Sequence, residues 1–358
     1  MKILFVPHVP RRDLINRVYE FAYNADQLFL SWHIQNDTFG LKVASQLKSL
    51  CQGISLRDNI LRMPLLFRPE SIGVRFNTAM LNRIVKRYGI DVVVNANAWM
   101  FDVEAIRVPV VYDLVDDWLT PNPTIGVTPK RVEKIKRDLQ HCVGVITVSK
   151  ELETKVKPLN PCTMTVENGV YIDRFTQAVS LKERYGLIGK KVFGYIGGVD
   201  EWTGIDKACE AFMRIKDDTN AMMIVGDSAS AFFRDLKKRY GNTITFVGQV
   251  PPKLVGDYFK TIDIGLIPFE LNDFTHNAFP IKAIEYGLAG ANVLATPLRV
   301  LQEKRFPFIR FSPIETFAQA MATMTKEPFR YDFSRFDWRV QTDKLVQFVK
   351  LCSNETRR

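Results

Sequence analysis

The sequence is poor in the residues and runs that mark a disulfide scaffold, a zinc site or a membrane-spanning protein. Its five cysteines, at positions 51, 142, 162, 209 and 352, form no Cys-x-x-Cys pair and are odd in number. This usage favours reduced thiols. No apolar run approaches the roughly 20 residues that a spanning helix requires. The apolar start, Lys2–His8, is too short for a signal peptide and is typical of a strand. These absences predict a cytoplasmic protein.

Signatures of several enzyme classes are also missing. The segment GYIGGVDEWTG, residues 194–204, lacks the G-x-G-x-x-G spacing of a dinucleotide fingerprint, so a nicotinamide cofactor has little support. We find no Ser-His-Asp or Cys-His arrangement that would supply a side-chain nucleophile. No cluster of metal ligands is visible either. We therefore expect neither a cofactor nor a bound metal.

Positive charge is in excess along the whole chain. The 358 residues carry a formal net charge of +10. Residues 1–175 contain 23 Lys and Arg against 18 Asp and Glu, and the remainder contains 26 against 21. Because both halves share the excess, the distribution argues against a basic tail. An anionic ligand, an anionic membrane surface or a nucleic acid would each suit this charge, and the charge alone does not choose among them.

Short apolar runs alternate with helical patterns, which is typical of parallel strands with crossover helices. The alternation starts at Lys2–His8 and restarts near Lys191–Ile196, after a polar stretch. We therefore predict an α/β protein with two doubly wound units, 1–175 and 176–335, whose strand ends face a cleft. The segment 336–358 is predicted to be a helix that packs back on the first unit.

The stretch NAFPIKAIEYGLAGANVLAT, residues 277–296, places a Lys and a Glu three residues apart in an apolar pattern. Pro280 suits the first turn of a helix, so Lys282 and Glu285 share one face near its start. A solvated ion pair is one interpretation. The other is a nucleotide site, because a helix N-terminus at the mouth of a parallel sheet attracts phosphate. Lys282 would then bind phosphate and Glu285 would accept hydrogen bonds from a ribose diol.

The surrounding residues favour the nucleotide site. The pattern N-x-x-T-x-x-x-x-P-x-K-x-x-E-Y-x-x-x-G-x-x-V-x-x-T is met at Asn272, Thr275, Pro280, Lys282, Glu285, Tyr286, Gly290, Val293 and Thr296. In this segment the chain resembles the GT-B glycosyltransferases, in particular the retaining, sugar-nucleotide-dependent enzymes of glycosyltransferase family 4. The resemblance covers roughly residues 90–300, and the N-terminal third matches only in pattern.

The resemblance implies two Rossmann-like domains and a UDP- or GDP-linked sugar as donor substrate. It implies a donor site at Gly197, Gly198, Val250, Asn272, Thr275, Lys282 and Glu285. This chain departs from the family at two basic positions. Gly198 stands where many members have Arg, and Thr203-Gly204 where they have Lys-Gly. In addition, Asn277 replaces the first Glu of the common E-x7-E pattern.

Candidate groups in the first unit follow two predicted strands. Asp116 and Asp117, after the strand in VVYDLVDDW, are the candidate catalytic residues, placed as an acid/base or a sugar-binding group would be. They would orient sugar or acceptor. Structural roles as capping or loop acids are equally compatible with them. Arg11, Arg12 and Asp13 follow the first strand and are weaker candidates for contact with acceptor or phosphate.

The resemblance implies metal-independent hexosyl transfer with retention of configuration. For the acceptor we expect a lipid-linked or cell-surface glycan, and basic helices such as KRVEKIKR (residues 130–137) favour peripheral contact with the inner membrane face. Two alternatives stay open. One is transfer to modified bases in DNA, which the positive charge would also suit. The other is a non-catalytic nucleotide-sugar or glycan-binding module.

Overall fold

A computed structural model describes residues 1–8, 16–32, 53–66, 70–121, 126–227, 230–277 and 279–355. The chain divides into two compact units. The first comprises Met1–Asn168 together with Trp338–Arg358, and the second is Gly169–Asp337. The boundary predicted between residues 175 and 176 lies within the second unit.

The first unit contains a largely parallel sheet. Its described strands, in chain order, are β1 (Ile3–Val6), β2 (Leu28–Ser31), β3 (Ser55–Arg57), β4 (Ile60–Arg62), β5 (Val92–Asn95), β6 (Val110–Leu114), β7 (Gly144–Thr147) and β8 (Thr163–Thr165). Their order across the sheet is β3-β4-β2-β1-β5-β6-β7-β8. Only the β3–β4 pair is antiparallel among these described pairs. The unit's helices are α1 (Arg17–Asn24), α2 (Glu70–Tyr88), α3 (Pro129–His141) and α4 (Lys150–Val156), with α13 (Trp338–Glu355) from the end of the chain.

A buried ion pair joins α1 to the carboxyl end of β6. The Arg17 Nε donates to both carboxylate oxygens of Asp113, at 3.2 and 3.0 Å. The same guanidinium donates to the Val166 carbonyl at 2.6 Å and to Asn168 Oδ1 at 2.9 Å. Buried charges are tolerated when they are paired and hydrogen-bonded. Arg17 therefore connects three separate segments of the first unit.

The last helix, α13, packs against α1 of the first unit. The rings of Trp338 and Phe21 meet edge to face, with centroids 5.3 Å apart. Nearby, Gln341 Oε1 accepts a hydrogen bond from the Glu167 amide at 3.0 Å. The end of the chain is thus held in the first unit by both apolar and polar contacts.

The second unit contains a wholly parallel sheet among its described strands. These are β9 (Lys191–Ile196), β10 (Asn220–Val225), β11 (Thr245–Gly248), β12 (Ile264–Ile267), β13 (Asn292–Ala295) and β14 (Ile309–Phe311), in the order β11-β10-β9-β12-β13-β14. The helices are α5 (Asp173–Thr176), α6 (Ile205–Ile215), α7 (Ala231–Tyr240), α8 (Val255–Thr261), α9 (Asp273–Asn277), α10 (Lys282–Leu288), α11 (Arg299–Lys304) and α12 (Phe317–Thr323). The predicted α/β class with two parallel-sheet units is confirmed.

Tyr286 ties α10 to the centre of the second sheet. Its hydroxyl donates to the Gly194 carbonyl at 2.8 Å and accepts from the Ile196 amide at 3.1 Å. The ring covers Gly265 in β12, where a Cβ atom would lie 2.4 Å from the ring. The helix α10, which carries Lys282 and Glu285, is therefore held in a fixed position against β9.

Several elements differ from the sequence-based expectation. The helix predicted from Pro280 begins at Lys282, and the segment around Thr275, for which the sequence predicted no helix, contains the short helix α9. The strands β3, β4, β8 and β14 were not predicted. Each has three residues, which is too short for a period of two to be visible. Among the helices of the described ranges, none has the length and hydropathy that crossing a bilayer requires.

The Tyr286 bridge gives a stability prediction. Tyr286→Phe should lower the free energy of unfolding of the second unit by about 1–3 kcal/mol, because two buried backbone groups lose a partner. Chemical denaturation followed by circular dichroism measures this. Tyr185→Phe is the matched control, since it removes a hydroxyl that pairs with Tyr258 at 3.1 Å in a less buried place. Equal effects of the two changes would contradict the assignment.

Candidate donor site

Neighbouring strands of the second sheet come so close at their carboxyl ends that side chains are excluded. Gly197 follows β9 with φ 137°, and Gly226 follows β10 with φ 129°. The Gly197 amide donates to the Val225 carbonyl at 2.9 Å. A Cβ atom on Gly226 would lie 2.0 Å from the Gly197 oxygen. Only glycine fits this approach, so the edge presents bare backbone.

The Lys282 ammonium lies on this backbone. Lys282 is the first residue of α10, and a Cβ atom on Gly197 would lie only 2.8 Å from its Nζ. The same Nζ is 3.8 Å from the ring centroid of Tyr195 and 5.1 Å from that of Phe269. Among the described residues, no hydrogen bond or ion pair reaches it. Its three donors are therefore available to an anion.

The pKa values of Lys282 and Glu285 converge. Burial lowers the pKa of Lys282 to about 7, against the attraction of Glu285. Burial raises the pKa of Glu285 to about 7, against the positive charges of Lys282 and Arg174. Both side chains keep part of their surface exposed, so dense surroundings rather than complete enclosure cause the shifts. Within the described ranges no hydrogen bond or ion pair joins the two groups.

The loop from Gly198 to Gly204 is fastened to the segment after β12. The Tyr195 hydroxyl donates to the Gly198 carbonyl at 2.6 Å. The Glu270 amide donates to the Trp202 carbonyl at 3.2 Å. Gly204 has φ 62°, and a Cβ atom there would lie 2.1 Å from the Pro268 oxygen. These contacts fix the loop beside the Lys282 ammonium.

Other predicted donor residues lie around this edge with their polar groups engaged. Asn272 and Thr275 cap α9 reciprocally. Asn272 Oδ1 accepts from the Thr275 amide at 2.9 Å, and Thr275 Oγ1 accepts from the Asn272 amide at 3.1 Å. Thr275 Oγ1 also donates to the Glu270 carbonyl. Val250 follows β11 and packs partly buried against the core of the unit. Asn272 and Thr275 therefore shape the loop that follows β12.

In the first unit the structure separates the roles of three aspartates. Asp113 is paired with Arg17. The Asp117 carboxylate accepts from Lys155 Nζ at 3.0 and 2.7 Å, and from Thr120 Oγ1 at 2.8 Å. Asp116 has no partner for its carboxylate among the described residues. Burial, followed by the charge of Asp117, raises the pKa of Asp116 to about 7, while Arg17 opposes the shift.

The remaining sequence candidates fall outside this geometry. Arg11, Arg12 and Asp13 lie outside the described residues. Sequence reasoning assigned no role to Tyr195, because an apolar residue of a buried strand gives no signal beyond core packing. In the described ranges, no group of three or more His, Cys, Asp or Glu is arranged to hold a metal ion.

Comparisons with known proteins show what this chain is similar to. The family model described as glycosyl transferases group 1 matches residues 181–303. A relative from Bacillus subtilis (strain 168), named for a glycosyltransferase of teichuronic acid biosynthesis, TuaH, is 28% identical over 215 residues. That match covers 56% of this chain and 53% of the relative. The chain thus spans about half the length of this curated relative.

Solved structures share the fold over nearly the whole chain. Sucrose-phosphate synthase from Thermosynechococcus elongatus matches with a TM-score of 0.74 at 14% identity, covering 98% of this chain and 99% of that one. HepE of Anabaena, solved with UDP and glucose, matches with a TM-score of 0.67 at 15% identity and the same coverage. The fold is that of the GT-B glycosyltransferases.

The partly buried ammonium of Lys282 gives a stability prediction. The lowered pKa of Lys282 means that the folded state binds fewer protons than the unfolded state between about pH 7 and pH 10. The charge is therefore destabilising below pH 7, and the penalty fades as the pH rises toward 10. Lys282→Met should raise the free energy of unfolding by about 1 kcal/mol at neutral pH. This gain should shrink toward pH 10.

Denaturant titrations at several pH values measure the gain. Lys207→Met is the matched control, because Lys207 is an exposed lysine of the same unit, paired with Glu270 at 2.8 Å. A gain for Lys282→Met that does not change with pH would contradict the burial of this ammonium.

Proposed function

We propose that this protein is a glycosyltransferase that moves a hexosyl group from a nucleotide-sugar donor to an acceptor. One observation carries the proposal. An ammonium without a described polar partner, Lys282, lies on bare backbone at the carboxyl edge of a parallel sheet, with Glu285 one turn further along the same helix. Ligands of open α/β sheets bind at this edge.

The donor is bound by complementary charges. Lys282 and the backbone at Gly197 and Gly198 would hold the diphosphate, and Glu285 would accept hydrogen bonds from the ribose hydroxyls. The missing Arg and Lys of the family pattern leave Lys282 as the principal cation of this edge. UDP-glucose is the first donor to test and UDP the first nucleotide ligand, because HepE structures of the same fold contain them.

For the chemistry we propose transfer with retention and without a metal, as in the family 4 enzymes that the motif around Lys282 resembles. The donor's own phosphate would take the acceptor proton, so no side-chain nucleophile is needed. Asp116 would orient the sugar or the acceptor hydroxyl, since its carboxylate has no described partner. Asp117, held by Lys155 and Thr120, would keep this loop in shape.

For the acceptor we propose a lipid-linked or cell-surface glycan. The name of the Bacillus subtilis relative, which refers to teichuronic acid biosynthesis, supports this class. The basic face of α3 would suit a peripheral contact with an anionic membrane. A panel of nucleotide sugars incubated with membrane lipid extract and with base-modified DNA tests the acceptor. Sugar on DNA would overturn the glycan acceptor, and donor binding without any transfer would favour a binding module.

Donor binding should depend on Glu285 and Lys282. Glu285→Ala should weaken UDP binding by about 1.5–3 kcal/mol, because it removes a charge-assisted hydrogen bond, and Lys282→Ala should also weaken it. Isothermal calorimetry with UDP and GDP measures both effects. Lys207→Ala, elsewhere in the second unit, should leave the affinity unchanged. Wild-type affinity in both site variants would refute this donor site.

Turnover should depend on Asp116. Asp116→Asn should lower kcat by at least about tenfold while the donor KM changes little, because the group acts in the transition state rather than in donor binding. Asp117→Asn should lower stability instead, since Lys155 would lose its carboxylate partner. Steady-state kinetics and thermal unfolding of the two variants separate these roles. An unchanged kcat in Asp116→Asn would remove Asp116 from the mechanism.

A further inference from the structure

Tyr195 makes two contacts with the donor edge, one through its ring and one through its hydroxyl. The ring centroid is 3.8 Å from Lys282 Nζ. The hydroxyl donates to the Gly198 carbonyl at 2.6 Å. The side chain is 1% exposed, so its position is fixed by packing. One residue of β9 therefore touches both the cation and the turn that we assign to diphosphate binding.

The ring attracts the ammonium without using its hydrogen-bond donors. The face of an aromatic ring is negative and attracts a cation within about 6 Å. A carboxylate at this place would hold Lys282 by its N–H groups and would repel a diphosphate. Tyr195 holds the charge on one side, Phe269 lies 5.1 Å from it, and Gly197 adds no side chain in front of it.

We propose that Tyr195 is a positioning residue for the donor diphosphate. Its ring holds the Lys282 ammonium at the Gly197 turn, and its hydroxyl fixes the Gly198 carbonyl, which directs the neighbouring backbone. This inference rests on the proposed function. Many family members have an Arg where this chain has Gly198. Without that Arg, Lys282 is the principal cation of the site, so its position must be fixed accurately.

Several charged groups lie around Lys282 and bear on how donor affinity depends on pH. Glu285 lies on the same helix, and Asp200 lies in the loop after β9. Glu270 follows Phe269 and is paired with Lys207. Burial raises the pKa of Tyr195, so the phenol stays neutral between about pH 6 and pH 9. The pKa of Lys282 is lowered to about 7 and that of Glu285 is raised to about 7. Loss of the ammonium charge and gain of the carboxylate charge together make donor affinity fall as the pH rises past neutrality.

The test is donor affinity as a function of pH for Tyr195→Leu and Tyr195→Phe. Calorimetry with UDP-glucose from about pH 6 to pH 9 avoids ionisation of the ligand's diphosphate. Tyr195→Leu should move the midpoint of the affinity profile down by about half a pH unit, because the ring no longer favours the ammonium. Tyr195→Phe should keep the midpoint and weaken affinity about three- to tenfold at every pH.

A purely structural role for Tyr195 predicts a different result, namely weaker binding in Tyr195→Leu with an unmoved midpoint. That outcome overturns the ring's role, and unchanged affinity in Tyr195→Phe overturns the hydroxyl's role. Tyr195→Met fills the space without an aromatic face and replaces the Leu variant if that variant does not fold. Tyr185→Phe is the control and should match wild type. If wild type binds neither UDP-glucose nor GDP-mannose, the proposed function fails instead.

Discussion

Close approach of backbone at the carboxyl edge of the second sheet is the constraint on which the candidate site depends. The Gly197 carbonyl leaves no room for a side chain on Gly226, and the Pro268 carbonyl leaves none on Gly204. Such contacts bring β9, β10 and the loop after β12 together as bare backbone. An anionic ligand can approach backbone amides there without displacing side chains.

The two units use buried charge in different ways. In the first unit, Arg17 and Lys155 neutralise Asp113 and Asp117, which stabilises the segments that these residues join. In the second unit, Lys282 and Glu285 are near each other but make no ion pair within the described ranges. Unpaired buried charges cost stability, and they are often retained where a ligand supplies the missing partner. Asp116 is the corresponding group in the first unit.

Much of the fold could be predicted from the sequence, because the hydrophobic patterns of strands and helices repeat with different periods. The alternation of patterns predicted the α/β class, and the restart near Lys191 predicted a second unit. Elements of three residues, such as β14, and the helix α9 were missed because they are too short to show a period. The last helix was predicted to pack back on the first unit, and contacts such as that of Phe21 with Trp338 hold it there.

For the site, the sequence by itself determined which chemical groups are available and their order along α10. Lys282 precedes Glu285 by one turn because their spacing fits a helix. Only the tertiary structure decided which of these charged groups lack an ion-pair partner among the described residues. Asp116 and Asp117 are the same residue type at neighbouring positions. Lys155, which is distant along the chain, nevertheless forms its ion pair with Asp117. Tyr195 likewise acquires its contacts from α10, because side-chain partners are set by packing between distant segments.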